Sequence, residues 1–198
     1  MLRMTCVRAA LAGFLLALPL FVAAGSPGDE PQTRSAREYF FTPTFGDLTE
    51  EMQVARDEGK LGMLLFFEAE SCPYCQHMVH KLFSQRQVQE WYGERFVSIA
   101  VDIHGDVELT DFDGITLPSK VFADHRRVFL TPVLAFIDLD GNEIYRHLGM
   151  IKTAEELLLL GEYVAGNNHY RMEYKTFAKQ RGMTEADGVM MTPAGESE

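Results

Sequence analysis

Cysteine is scarce in this chain, with three in 198 residues. One of them, Cys6, falls in an N-terminal stretch set apart by its composition, so a disulfide-rich scaffold is excluded. Basic residues are also in short supply: 18 Lys and Arg face 29 Asp and Glu, a formal net charge of −11. Such a surface repels phosphate backbones and anionic lipid, which excludes a nucleic-acid binder. Long apolar runs are lacking outside residues 9–24, and there are no internal repeats.

Residues 1–24 read as an export signal. Arg3 and Arg8 make a positive start, Val22-Ala23-Ala24 offers small residues for cleavage before Gly25, and no acidic residue precedes Asp29. As a helix the apolar run would span about 24 Å against a hydrocarbon core of about 30 Å, and Pro19 interrupts it late. A cleaved signal and a periplasmic destination fit that length; an uncleaved N-terminal anchor facing the periplasm is the alternative. Cys6 lacks a lipid-attachment context and leaves with the leader. Without Arg3 and Arg8, 16 basic residues face 29 acidic ones, a formal net charge of −13. The remainder suits one domain with its own core.

Two cysteines then remain, Cys72 and Cys75, separated by Pro73-Tyr74. A structural staple is the ordinary use of cysteine outside the cytosol. Chain entropy argues against it, because a four-residue loop yields only about 2 kcal/mol against about 4.7 for a loop of 100 residues. A staple would join distant positions. The pair is better suited to making and breaking its own bond.

Residues 25–38 are rich in Gly, Pro, Ser and charge and read as a flexible leader to the fold, within an N-terminal extension over 25–44. Tyr39, Phe40, Phe41 and Phe45 then supply aromatic bulk expected to pack against the fold. Asp47 and Glu50 resemble a capping pair, and Leu48, Met52 and Ala55 recur at helical spacing until Gly59. Residues 61–67 form a short, almost unbroken apolar run, as in a strand buried on both faces. Pro73 suits the first turn of a helix, and residues 74–91 are free of Gly and Pro, which predicts one helix. Residues 96–102 alternate as a strand, 105–114 read as an acidic loop, and 116–127 as a helix with Pro118 in its first turn. Residues 128–137 and 143–147 around Asp140-Gly141 read as a hairpin, 155–164 as a helix, and 170–180 as one more before a polar tail. Helical crossovers join parallel strands and tight turns antiparallel ones, so the sheet is mixed and the fold α/β.

These features resemble the thioredoxin superfamily: the strand over 61–67, Cys72-Pro73-Tyr74-Cys75 at a helix start, and Thr131-Pro132 opening the hairpin that turns at Gly141. The resemblance covers residues 45–165 and implies a three-layer sandwich with a mixed central sheet flanked by helices. The phrases Phe45-Gly46-Asp47-Leu48, Phe66-Phe67-Glu68 and Thr110-Asp111-Phe112-Asp113-Gly114, with the aromatic tail around Tyr170, resemble the periplasmic SoxW type associated with sulfur oxidation. Residues 166–198 would then be a helical extension and tail.

The resemblance implies a thiol-disulfide oxidoreductase without a cofactor. A thiolate is the attacking species, and free backbone N–H groups at a helix start stabilise it on Cys72. Cys75, one turn further in, would be more buried and resolve the mixed disulfide. Pro73 and Tyr74 shape the site. The resemblance also implies a cis bond between Thr131 and Pro132, with Thr131 offering its backbone to substrate. An ordinary trans proline at a strand edge is the alternative. Expected partners are disulfide-containing exported proteins and a membrane thiol carrier as electron donor, and a monomer is expected for want of a dimerisation segment.

Two positions depart from the family pattern. Ser71 stands where many thioredoxins have Trp, and Phe66 where they bury a carboxylate. Glu68 or Glu70 could serve as the missing proton acceptor, although a solvated loop carboxylate is the commoner situation. Pro73-Tyr74 is the glutaredoxin dipeptide and points to a middling or reducing potential. Three rival readings fit the residues less well. A metal site of Cys72, Cys75, His77 and His80 lacks the spacer between pairs that zinc sites need, and His77 points away from Cys75 on one helix. The ten methionines are too scattered for a copper carrier. A binding module on the same fold would not need two sulfurs.

Overall fold

The computed structural model describes residues 32–183. The expectations for the leader, its cleavage and the polar tail beyond residue 183 lie outside them. None of the helices among the described residues is long and apolar enough to cross a membrane.

Gly62–Glu68 forms the first strand, β1, one residue later than the apolar run predicts and buried throughout. Phe96–Asp102 (β2) lies parallel to it. On the other side Val133–Asp138 (β5) runs antiparallel to β1, and Glu143–Leu148 (β6) antiparallel to β5. The order is β2-β1-β5-β6, a mixed sheet. Gly62 opens β1 because a Cβ there would sit 2.0 Å from the Ile137 carbonyl oxygen.

Neighbouring residues on a strand face opposite sides, which sorts the helices into layers. Phe67 stacks on Phe122 of the helix Ser119–His125 (α5). Phe66 faces Phe83, and Phe96 faces Tyr92 of the helix Arg86–Gly93 (α4). That second face also carries the helices Ala154–Ala165 (α6) and Tyr174–Gln180 (α7), whose Tyr163 and Tyr174 meet Tyr145 and His147 of β6. The result is the α/β three-layer sandwich expected from the sequence. The helix Leu48–Asp57 (α2) starts at Asp47, whose carboxylate accepts from the N–H groups of Thr49 and Glu50 at 2.8 and 3.1 Å.

Four expectations need correction. The single helix predicted over 74–91 is instead a short helix Pro73–His77 (α3), a π turn Met78–Leu82, a break, and α4. The break is held open from outside. Thr33 bridges to Gln85, and the Gln89 side chain donates to the carbonyls of Phe83 and Arg34. Residues 33–38 are correspondingly not a free leader, since Ala36–Tyr39 (α1) is helical. Of the four aromatic residues expected to pack on the fold, Phe40 and Phe41 are buried, Phe40 stacking on Phe83 at 4.2 Å, whereas Tyr39 is half exposed and Phe45 is fully exposed. The stretch 105–127 is also redistributed, because Glu108–Thr110 (β3) pairs antiparallel with Thr116–Pro118 (β4), burying Leu109 and Leu117, before α5 begins. Pro118 is thus the cap of α5 and not a member of its first turn. A residue before proline avoids helical angles, which favours the extended conformation of Leu117. Finally, the apolar run from 128 enters the sheet only at Val133; Phe129 and Leu130 are exposed.

Candidate active site

β1 delivers the chain to one end of the sheet, and the cysteine turn follows within four residues. Cys72 has extended backbone angles and caps α3, with Pro73 at the first helical position. Proline fits there because its missing N–H would have no partner in a first turn. The Cys75 N–H donates to Cys72 Sγ at 3.1 Å. Cys72 and Cys75 are joined as a disulfide, with Cα atoms 5.3 Å apart. Cys75 is wholly buried and Cys72 nearly so, while Pro73 and Tyr74 are exposed above them.

The Thr131–Pro132 peptide is cis. Pro132 is buried, Thr131 half-buried, and the Pro132 carbonyl accepts from the Gly149 N–H at 2.9 Å. Val133 pairs with Phe67, so this turn and the cysteine turn leave the sheet at the same end. The six residues singled out from the sequence therefore fall at one end of the molecule's central sheet.

At the position where thioredoxins bury a carboxylate, Phe66 lies in a cluster with Phe41 and Phe83, ring centroids 5.8 and 4.9 Å away. Ser71 and Glu70 are exposed. Glu68 is not the solvated loop carboxylate that its residue type suggests. It ends β1, is 9% exposed, and accepts two bonds at 2.6 and 2.7 Å from the Arg37 guanidinium of α1. Glu68 and Phe66 share the face that carries the cysteine helix. Nothing in the spacing of charges around Arg37 announces this pair, since its partners stand 31 residues apart.

Breaking the pair has a measurable consequence. Arg37→Met leaves a buried carboxylate without its bidentate donor, and stability should fall by roughly 1 to 2 kcal/mol, discounted because Arg37 is half exposed. Glu68→Gln keeps an acceptor and should cost less. Urea unfolding of the two variants checks the order; equal losses would mean that the carboxylate charge is immaterial.

His77 and His80 are exposed, and His80 Nε2 faces the Gln76 side-chain oxygen at 3.1 Å. Among the described residues no three His, Cys, Asp or Glu side chains are placed to hold a metal ion. The apolar pattern places Phe129 and Leu130 in the strand, but Pro132, which lacks a ladder donor, is the signal that the strand starts after it.

The family profile described as a thioredoxin-like domain matches residues 48–165, from α2 through α6. No curated protein matches the chain. Among solved structures, a thioredoxin-fold protein from Helicobacter pylori is similar over 73% of this chain and 93% of its own, at 19% identity and a TM-score of 0.56. A thioredoxin from Thermus thermophilus is similar over 63% of this chain and 92% of its own, at 26% identity and a TM-score of 0.46. The reduced C-terminal domain of DsbD from Neisseria meningitidis is similar over 57% and 88%, at 19% identity and a TM-score of 0.43. The likeness to the first is one of fold.

Proposed function

The chain belongs to the thioredoxin-like family, and on that premise we propose that it is an exported thiol-disulfide oxidoreductase that reduces disulfides in periplasmic partner proteins. The observation that carries this reading is the Cys72–Cys75 pair itself: two sulfurs within bonding reach, one capped by a backbone N–H and the other buried behind it.

In the dithiol form the Cys75 N–H and the start of α3 stabilise negative charge on Cys72 Sγ. The Cys72 thiolate attacks one sulfur of a partner disulfide. The partner S–S bond breaks, its second sulfur leaves as a thiolate and takes a proton, and a Cys72–partner disulfide forms. Cys75 then loses its proton and attacks Cys72 Sγ. The mixed disulfide breaks, the partner's first sulfur leaves and is protonated, and the Cys72–Cys75 disulfide remains. Two electrons and two protons have passed to the partner. A membrane thiol carrier returns them, which restores the dithiol for the next cycle.

The phrases around Phe45, Phe66 and Phe112 favour the SoxW type within the family, and a monomer suffices for the chemistry. The competing direction is net oxidation or isomerisation, which uses the same atoms. Equilibration of the pair against glutathione buffers decides between them. A potential between about −180 and −270 mV, the interval from disulfide isomerase to thioredoxin, is expected; a value near −120 mV, that of a strong periplasmic oxidant, overturns the reducing direction.

A further inference from the structure

The connection from α5 to β5 is anchored at both ends and bare in the middle. The Val128 N–H donates to the Ala123 carbonyl at 2.9 Å and its side chain is buried. Pro132 is buried at the other end. Between them Phe129 and Leu130 are 67% and 81% exposed. Polar residues would fit these two positions at no cost to the core, so adjacent exposed apolar side chains here ask for a partner surface. Tyr74, 58% exposed on the cysteine turn, stands at the same end of the sheet.

The charge of this segment runs against the rest of the chain. His125, Arg126 and Arg127 are consecutive in a protein of net charge −11. Arg126 is taken up by packing over the Phe112 and Phe122 rings, at 5.1 and 5.4 Å. Arg127 is exposed, and among the described residues no carboxylate pairs with its guanidinium. Its φ of 56° lies in the left-handed region just past the end of α5, where glycine is the usual occupant. An arginine at that place is held against backbone preference, and its side chain is free to meet an anion.

Resting on the oxidoreductase reading, we infer that Arg127, Phe129 and Leu130 select the substrate, by docking a polypeptide segment in which an acidic residue and apolar residues flank the cysteine that Cys72 attacks. The guanidinium takes the carboxylate and the two apolar side chains lose water against the partner's own. A substrate cysteine set among basic and polar residues gains neither contact.

Three probes test this on the full reduced chain at low salt: a peptide disulfide flanked by Asp-Leu-Phe, one of equal length flanked by Lys-Ser-Gly, and uncharged 2-hydroxyethyl disulfide. Second-order rates of thiol consumption should favour the acidic, apolar peptide over the basic one by about tenfold or more. Arg127→Glu should cut the ratio of the acidic-peptide rate to the hydroxyethyl rate about tenfold. Arg127→Gly, which suits the left-handed backbone, should lower it with the fold kept, as circular dichroism reports. Phe129→Ser with Leu130→Ser should cut the ratio about tenfold at any salt, because that contact is apolar. Equal rates for the two peptides with the native chain, or variants that slow all three probes in proportion, overturn the docking assignment while leaving exchange intact. A native dimer in sedimentation that dissociates on the Phe129→Ser, Leu130→Ser change overturns it too, by assigning the surface to a second copy. Failure of the native chain to reduce 2-hydroxyethyl disulfide sinks the oxidoreductase reading itself.

Discussion

Cys75→Ser should accumulate partner proteins covalently bound through Cys72, while Cys72→Ser should accumulate almost none, and both should lose turnover by on the order of a thousandfold or more. The order follows from where the two sulfurs sit. Cys72 caps α3, so the Cys75 N–H is already directed at its sulfur at 3.1 Å. That donor and the helix start favour charge on Cys72 over Cys75, which lies one turn inside and is wholly buried. With serine at 75 the first exchange proceeds and the second has no nucleophile, so the mixed disulfide persists until an outside thiol cleaves it. With serine at 72 the remaining thiol is enclosed and slow. Non-reducing electrophoresis of each variant after expression in an oxidising compartment reads the difference directly. Equal trapping by the two would show that the helix start does not set the order of attack.

The parts of this site that the sequence made legible are those with short-range signals. Two cysteines at i and i+3, a proline at the first helical position and an apolar run before them fix a strand, a turn and a helix start, and β1, α3 and the disulfide agree with them. β2 coincides with its alternating run to the residue. Asp47 caps α2 through bonds spanning two or three residues, which local reading finds. What escaped depends on partners far along the chain. Residues 74–91 have helical composition throughout, yet the break between α3 and α4 is set by Thr33 and Arg34 from the N-terminal segment. That segment has the polar, Gly-rich composition of a free leader, and only the distant surface it covers gives it structure. A glutamate at a strand end is ordinarily solvated, and Arg37, 31 residues away, holds Glu68 in a buried position. β3 and β4 are three residues each, too short for periodicity to separate from loop, and only their mutual pairing reveals them.

Stability should fall as pH drops from about 6.5 to about 4, and His147 should be a principal cause. It sits on β6 facing α7, 4% exposed, with Nε2 making no hydrogen bond. Burial lowers its pKa to about 4 from an ordinary 6.5. Above 6.5 both folded and unfolded chains hold the ring neutral, so it has no effect. Below 6.5 the unfolded chain takes up a proton that the folded chain refuses until about 4, so the unfolded state gains about 1.4 kcal/mol per pH unit. The full loss is about 3 kcal/mol at and below pH 4. Glu156 works in the opposite sense. It is wholly buried on α6, its Oε1 has no partner, and burial raises its pKa, so the folded chain takes up this proton first and is favoured as pH falls. Tyr174 links the two, its ring edge-on to His147 and its hydroxyl donating to the Glu156 carbonyl at 3.1 Å, but it stays neutral throughout because burial pushes its pKa up. His147→Leu removes the first effect and leaves the second. Urea unfolding of native chain and variant at pH 7 and pH 4.5 should therefore show the difference between them shifting by roughly 2 to 3 kcal/mol in the variant's favour at the lower pH. A constant difference would mean that His147 is already charged when folded, or that solvent reaches it beneath α7.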